Sequence, residues 1–118
     1  MAYIQIIIGT SIEFKNSDYE KTEKLEERFK NNKEILEENN LTLKIGTDEE
    51  CGITKFFIGK EVDNTTLYQT ETTVYDLDVL KLEKKELIDK TVDDIKKIIE
   101  EEFKEITIKQ GLILNRYD

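Results

Sequence analysis

TVDDIKKIIEEEFKEITIKQGLIL, residues 91–114, changes its apolar period halfway along. In its first half the apolar residues recur at helical spacing, with one further residue widening the face: Val92, Ile95, Ile99, Phe103 and Ile98. Thr91 precedes this face and is the expected N-cap of the helix. In the second half apolar and other residues alternate, as in a strand, with Gln110 as the polar break on the apolar side: Ile106, Ile108, Leu112 and Leu114. Because this helix and this strand are each apolar on one side, we expect the rest of the chain to supply a sheet as their partner surface.

The N-terminal third predicts a strand and then a helix. Apolar residues share one parity over Tyr3–Lys15, which predicts a long first strand with Gly9 as a bulge or bend. Ser17 precedes Glu20 by three residues, the spacing of a capping box, and predicts a helix over residues 17–38. Its apolar side would hold Tyr19, Thr22, Leu25, Phe29 and Leu36. Asn39 and Asn40 then favour a left-handed termination of the helix.

The middle of the chain predicts three further strands. Alternation predicts a second strand over residues 41–45, and a polar turn follows over 46–50. Residues 53–62 predict a third strand with apolar residues on both faces, Phe56 and Ile58 against Ile53 and Phe57. A long fourth strand, bent or broken, would cover residues 66–82. A charged connector over residues 83–90 either packs against the last helix or extends it backwards.

The predicted fold class is α+β. Residues 1–118 would form a single domain in the order β-α-β-β-β-α-β, a mostly antiparallel sheet with two helices packed on one face.

Composition limits the partners of this domain. The formal net charge is −9 and 38% of the residues are charged, so the overall field opposes direct binding of nucleic acid or of an anionic membrane. Cys51 is the only cysteine, which excludes an intramolecular disulfide and favours a reducing, cytoplasmic location. Residues 1–9 contain no basic leader and only a short apolar run, so we expect neither a signal peptide nor a membrane span.

Catalytic residues are scarce. The chain contains no histidine, which removes the commonest general base and the commonest transition-metal ligand. Cys51 follows the acidic residues 48–50, whose charges oppose formation of a thiolate. Asp76 and Asp78 would share a strand face, but no loop of recognised metal-binding spacing contains them, and residues 52–60 lack the spacing of a phosphate loop. We therefore predict no enzyme activity, no cofactor and no metal site.

Negative charge is concentrated in the segment predicted to form strands. Residues 47–80 hold eight acidic and two basic residues, a net charge of −6. Threonine and tyrosine accompany these acids, and tyrosine is favoured at protein interfaces. The segment predicts an acidic binding surface formed by Asp48, Glu49, Glu50, Asp63, Tyr68, Glu71, Tyr75, Asp76 and Asp78.

The first functional hypothesis is a non-enzymatic protein-interaction domain that engages a basic surface of another protein. One form of it is a bacterial or phage inhibitor that occupies a nucleic-acid-binding groove, with carboxylates in place of phosphates. A second hypothesis is a small-ligand or nucleotide-binding domain that acts as a homodimer or larger homo-oligomer, with a site between subunits formed by Tyr68, Tyr75, Lys55, Lys60 and Arg116. A third is a phage structural assembly subunit.

Overall fold

A computed structural model describes the backbone of residues 3–62 and 84–117, and the side chains of residues 7–61 and 84–111. The described residues form four strands and three helices: β1 (Tyr3–Lys15), α1 (Tyr19–Arg28), α2 (Lys30–Glu38), β2 (Thr42–Asp48), β3 (Ile53–Val62), α3 (Lys85–Glu102) and β4 (Thr107–Tyr117). The predicted α+β class is confirmed. The predicted strand over residues 66–82 lies outside the described residues.

The strands form one antiparallel sheet in the order β2-β3-β1-β4. β1 is central because it pairs along most of its length with both β3 and β4. The predicted bounds of β1 and β3 are confirmed. The predicted second strand is too short, since β2 continues to Asp48, and the predicted last strand begins at Thr107 and ends at Tyr117.

Three glycines lie in a row across the sheet. Gly9 of β1 pairs with Gly59 of β3 and with Gly111 of β4, in an uninterrupted one-to-one register. The bulge predicted at Gly9 is therefore wrong. A Cβ atom on Gly9 would lie 2.1 Å from the carbonyl oxygen of Ile58, and one on Gly59 would lie 2.2 Å from that of Ile8. The two backbones approach so closely that only glycine fits in these two places.

The hydrophobic core lies between the helices and one face of the sheet. Its sheet residues are cross-strand neighbours that share this face, such as Ile12 with Phe56. The ring of Phe14 lies 4.6 Å from that of Phe103, and the ring of Phe29 packs edge-on at 5.7 Å from that of Phe56. The core cluster comprises Ile12, Phe14, Leu25, Phe29, Leu36, Leu41, Leu43, Phe56, Ile58, Ile88, Ile95, Ile99 and Phe103.

The opposite face of the sheet also contains buried residues. Register and alternation place Ile7, Ser11 and Phe57 on this face, and all three are buried. None of them belongs to the core cluster under the helices. Apolar residues on both parities of β1 indicate a central strand covered on both sides near its start, as the sequence predicts.

The last helix, α3, is longer than its apolar stripe predicts. It begins at Lys85, so Thr91 lies inside the helix and the predicted N-cap there is wrong. The hydroxyl of Thr91 is buried and donates to the Leu87 carbonyl at 2.8 Å, which satisfies it without a cap. The backward extension is driven by Ile88, which is buried in the core.

The first predicted helix is divided at Phe29 into α1 and α2. Phe29 has φ −97° and ψ 13°, and its side chain is buried against Phe56. The N-cap is Asp18, whose carboxylate accepts from the Glu20 amide at 2.9 Å, so the predicted Ser17 capping box is wrong. Tyr19 is 50% exposed, contrary to its predicted place on the apolar side.

Helix termination is confirmed for one of the two asparagines predicted to end α2. Asn40 adopts φ 60°, whereas Asn39 does not adopt a left-handed conformation. The Leu41 amide then donates to the Leu36 carbonyl at 2.8 Å, which leads the chain directly into β2.

Thr10 is the first site at which the fold permits a quantitative prediction. Its hydroxyl is buried and has no hydrogen-bond partner among the described residues. Thr10→Val keeps the shape and removes the unsatisfied hydroxyl, so we expect the free energy of unfolding to rise by about 1 kcal/mol in urea titration. Thr54 is equally buried, but its hydroxyl is fully hydrogen-bonded. Thr54→Val should therefore lower the free energy of unfolding. Destabilisation by Thr10→Val would contradict the prediction.

Candidate functional site

A hollow of about 1090 Å³ lies beside β2, and we call it the β2 hollow. Its walls come from α1, α2, the turn after β2, β3 and β2, which is an outer strand of the sheet that the described residues form. The lining residues are Glu23, Glu26, Glu27, Phe29, Lys30, Lys33, Leu43, Lys44, Ile45, Gly46, Thr47, Asp48, Cys51, Ile53, Lys55, Phe56 and Phe57.

Chain direction fixes the two ends of the β2 hollow. At one end the Thr22 hydroxyl of α1 lies 2.6 Å from the Thr47 hydroxyl of β2. At the other end the chain passes from α2 straight into β2. The two helices and β2 therefore run in opposite directions along the hollow. At 1.5 Å per helical residue, α1 ends roughly 9 Å beyond Thr22, and Lys30 begins the next helix, α2. At about 3.3 Å per strand residue, Lys44 lies roughly 10 Å from Thr47 in the same direction.

The end at Thr22 and Thr47 is supported by a buried hydrogen-bond network. The Asn16 side-chain amide donates to the hydroxyls of Thr22 at 3.2 Å and Thr54 at 3.1 Å. The Thr54 hydroxyl donates to the Asn16 carbonyl at 3.0 Å and lies 2.8 Å from the Thr47 hydroxyl. This network joins the end of β1 to α1, β2 and β3, and it fixes the wall of the hollow at this end.

The turn between β2 and β3 is organised by Asp48. One of its carboxylate oxygens accepts from the backbone amides of Glu50 at 3.1 Å and Cys51 at 3.2 Å. Gly52 donates its amide to the Asp48 carbonyl at 2.9 Å and adopts φ 67°, a conformation that glycine supplies without strain. Glu49 and Glu50 are exposed on this fixed turn.

Electrostatics in this turn disfavour a reactive thiol. Hydrogen bonds from Cys51, first from its backbone amide, hold the pKa of Asp48 below its ordinary value. The hydrogen bond to the Asp48 carboxylate, followed by the carboxylate's negative charge, raises the pKa of the Cys51 thiol. Cys51 is exposed, and its raised pKa disfavours the thiolate, which makes it a weak nucleophile, as the acidic sequence around it predicts.

Charges are separated along the β2 hollow. Its four carboxylates belong to α1 and to the end of β2: Glu23, Glu26, Glu27 and Asp48. Three of its four lysines lie toward the other end, on α2 and at the start of β2: Lys30, Lys33 and Lys44. The fourth, Lys55, lies 3.9 Å from Glu13 on the neighbouring strand. The hollow therefore has an acidic end and a basic end.

Three of the nine predicted binding residues are placed by the structure. Asp48 lies in the wall of the hollow, while Glu49 and Glu50 lie beside it on the turn. The other six lie outside the described residues: Asp63, Tyr68, Glu71, Tyr75, Asp76 and Asp78. Whether these six join the first three stays a prediction.

Sequence reasoning missed the helical part of the site. The acids of α1 and the lysines of α2 have the pattern of an ordinary solvated helix face, which is also found where no site exists. The sequence carries no clear signal for it, because α1 holds three basic residues beside its four acids, and α2 holds three acids beside its two lysines. Packing beside β2 selects which of these side chains line the hollow.

The alternative ligand site is not assembled within one chain by the described residues. Lys55 pairs with Glu13, and Lys60 pairs with Ile8. Because strand residues alternate, these two lysines lie on opposite faces of the sheet. Arg116 pairs with Ile4 at the other end of β1, and Tyr68 and Tyr75 lie outside the described residues.

In residues 3–62 and 84–117, no three cysteine or carboxylate side chains are grouped to hold a metal ion. None of the three described helices combines the length and apolar character that a bilayer span requires.

Comparisons with protein-family models, with characterised proteins and with solved structures give no significant match.

Proposed function

We propose that this protein is a non-enzymatic interaction domain that binds a basic surface of another protein at the acidic end of the β2 hollow. The contact surface, which we call the acidic rim, comprises Glu23, Glu26, Glu27, Asp48, Glu49 and Glu50. The observation that carries the proposal is the joining of α1 acids to turn acids at one end of an open hollow beside an edge strand.

Rigidity of the turn supports this proposal. Asp48 uses its carboxylate to bind two backbone amides of its own turn, so Glu49 and Glu50 are held in place before a partner arrives. Pre-ordered contact residues lower the conformational entropy lost on association. Exposed carboxylates of one sign also speed the encounter with a basic surface and make binding sensitive to salt.

The partner proposed is a basic protein surface, and an inhibitor that covers a nucleic-acid-binding groove is the form we favour. In such a groove, lysine and arginine are arranged to neutralise phosphates, and carboxylates can occupy the same positions. A cytoplasmic site of action, consistent with the single cysteine, belongs to this proposal.

A second candidate function is the binding of a small anionic ligand in the β2 hollow. Its volume of about 1090 Å³ is adequate for such a ligand, and four lysines line it. The four carboxylates that line the same hollow disfavour an anion, which is why protein binding is preferred. A rise in melting temperature with a nucleotide or metabolite would favour this second candidate.

Charge reversal on the acidic rim tests the proposed function. The protein is immobilised and used to capture partners from its native cell extract at low and high salt. We expect Glu49→Lys combined with Glu50→Lys to weaken the captured complex by about tenfold and to reduce its salt dependence. Asp48 is left intact because it holds the turn.

The matched control reverses two exposed carboxylates of α3, Glu101→Lys with Glu102→Lys, which changes the net charge equally. We expect this variant to retain the partner. Equal loss of the partner in both variants would show that overall charge, and not the acidic rim, drives the contact. Unchanged capture by the rim variant would exclude Glu49 and Glu50 as contact residues.

A further inference from the structure

The outer edge of β2 is open within the part of the chain that the structure describes. There, β2 pairs with β3 only. Register places Leu43, Ile45 and Thr47 on the core face of β2, and Lys44, Gly46 and Asp48 on the other face. Residues of both sets line the same hollow. The hollow therefore extends around the outer edge of β2, where Gly46 is exposed.

Two of the usual devices that prevent strand pairing, proline and a β-bulge, are absent from β2. The chain contains no proline, and β2 pairs with β3 residue for residue, without a bulge. Gly46, at the middle of the edge, is exposed and has open space where a side chain would lie. An edge that no described strand pairs with, and that has neither proline nor bulge, is a template for an extended segment of another chain.

Apolar side chains on the two sides of β2 would receive such a segment. Ile45 lines the core side of the hollow and Ile53 lines the other, and both are half-buried. Leu43, Phe29 and Phe57 line it too, but they are already buried within the chain. In an added strand, successive side chains point alternately to these two sides. Backbone hydrogen bonds to β2 would provide affinity, and the apolar walls would select the side chains.

We propose that the partner enters the β2 hollow as an extended segment that adds an antiparallel fifth strand to β2. The described strand pairs are all antiparallel, which is also the slightly more stable pairing. Because β2 runs from the basic end to the acidic end, an antiparallel segment has its N-terminal half at the acidic end. The segment carries lysine or arginine in that half and acidic residues in the other. This inference deepens and rests on the proposed function.

A nine-residue peptide tests this inference. Valine occupies its odd positions, lysine positions 2 and 4, and glutamate positions 6 and 8. Binding is measured by fluorescence anisotropy and by protection of Cys51, which lines the hollow, from alkylation. We expect a measurable Kd, protection of Cys51, and binding about tenfold weaker for the peptide with lysine and glutamate exchanged. Absence of binding would overturn the inference.

Methylation of backbone nitrogens distinguishes strand addition from simple charge attraction. Two variants of the peptide each carry four N-methyl groups, one at the valines 3, 5, 7 and 9 and the other at the charged positions. In a strand, alternate residues direct their N–H groups to opposite edges, so only one set faces β2. We expect one variant to lose more than about tenfold in affinity and the other to retain it. Equal affinities of the two variants would overturn strand addition.

The outcomes separate this inference from the proposed function. If the N-methylated variants bind equally while capture of the native partner still depends on Glu49 and Glu50, the proposed function stands and strand addition is wrong. If only one methylated variant loses affinity, but capture of the native partner does not depend on Glu49 and Glu50, strand addition stands and the acidic rim is wrong. We expect sedimentation to show that the protein is a monomer without the peptide. A dimer that dissociates when the peptide is added would instead show that a second copy of this chain occupies the β2 hollow.

Discussion

Gly9→Ala is expected to lower the free energy of unfolding by about 4 kcal/mol, a large part of the stability of a domain of this size. The added methyl group would lie 2.1 Å from the Ile58 carbonyl oxygen and 2.7 Å from the Cα atom of Gly59. Both obstacles are backbone atoms of a paired strand, so no side-chain rotation can make room. The two central strands would have to separate, which disrupts their ladder on both sides of this position.

The same sheet supplies a control for Gly9→Ala. Gly46 also lies in a strand, but a Cβ atom there would meet nothing within 4 Å. Gly46→Ala should therefore change stability by no more than about 0.5 kcal/mol. Urea unfolding followed by circular dichroism measures both variants. A Gly9→Ala protein as stable as Gly46→Ala would show that β1 and β3 do not approach as closely as the structure indicates.

Asn16→Ala is expected to lower the free energy of unfolding by about 3 kcal/mol. Its buried side chain donates to Thr22, to Thr54 and to the Asp18 carbonyl at 3.2 Å, and it accepts from the Asp18 amide at 3.2 Å. Alanine removes these bonds and leaves the Asp18 amide without its partner. The hydrogen bond from the backbone amide of Asn16 to the Gly52 carbonyl, at 2.9 Å, is kept in this variant. The loss of stability therefore measures the contribution of the Asn16 side chain.

A second asparagine provides the control for Asn16→Ala. Asn39 donates from its side chain to the Ile35 carbonyl at 2.7 Å, but this bond is exposed to water. Asn39→Ala should cost less than about 0.5 kcal/mol, because water replaces an exposed bond. The measurement is thermal and urea unfolding of both variants. Equal small losses would mean that the Asn16 network does not hold α1, β2 and β3 together.

The Asn16 network also links stability to the candidate site. Thr22 and Thr47 join α1 to β2 at the acidic end of the hollow, and the acids of the rim directly follow these two threonines in the chain. Loosening the network would separate Glu23 from Asp48 and so weaken the acidic rim. The polar contacts that stabilise the fold are therefore also the contacts that position the proposed binding surface.

Periodicity predicted most of the elements. The bounds predicted for Tyr3–Lys15 and Ile53–Val62 are correct. The first prediction came from the shared parity of apolar residues, and the second from a run with apolar residues on both faces. The stripe through Ile95, Ile99 and Phe103 identified the buried face of α3. The N-cap of α1 was predicted less well. The Asn16 side chain accepts from the Asp18 amide, and the N-cap is Asp18, one residue after the predicted Ser17.

The site was predicted only in part. The charge of the turn residues 48–50 is visible in the sequence, and so is the absence of histidine. The contribution of α1 and α2 is not, because an amphipathic helix presents a charged outer face whether or not that face borders a binding site. The predicted helix also crossed Phe29, where burial against Phe56 divides α1 from α2.

By itself, the sequence determined the period of each element, the acidic character of the β2–β3 turn and the presence of acids that oppose a thiolate at its cysteine. These are local properties, set by residues a few positions apart. Only the tertiary structure decided that Gly9, Gly59 and Gly111 lie in one row, that Asn16 meets Thr54, and that carboxylates of α1 join those of the turn. Period specifies which side of a strand faces the core, but strand order and register depend on contacts between distant residues. Those contacts are selected by the packing of the whole chain.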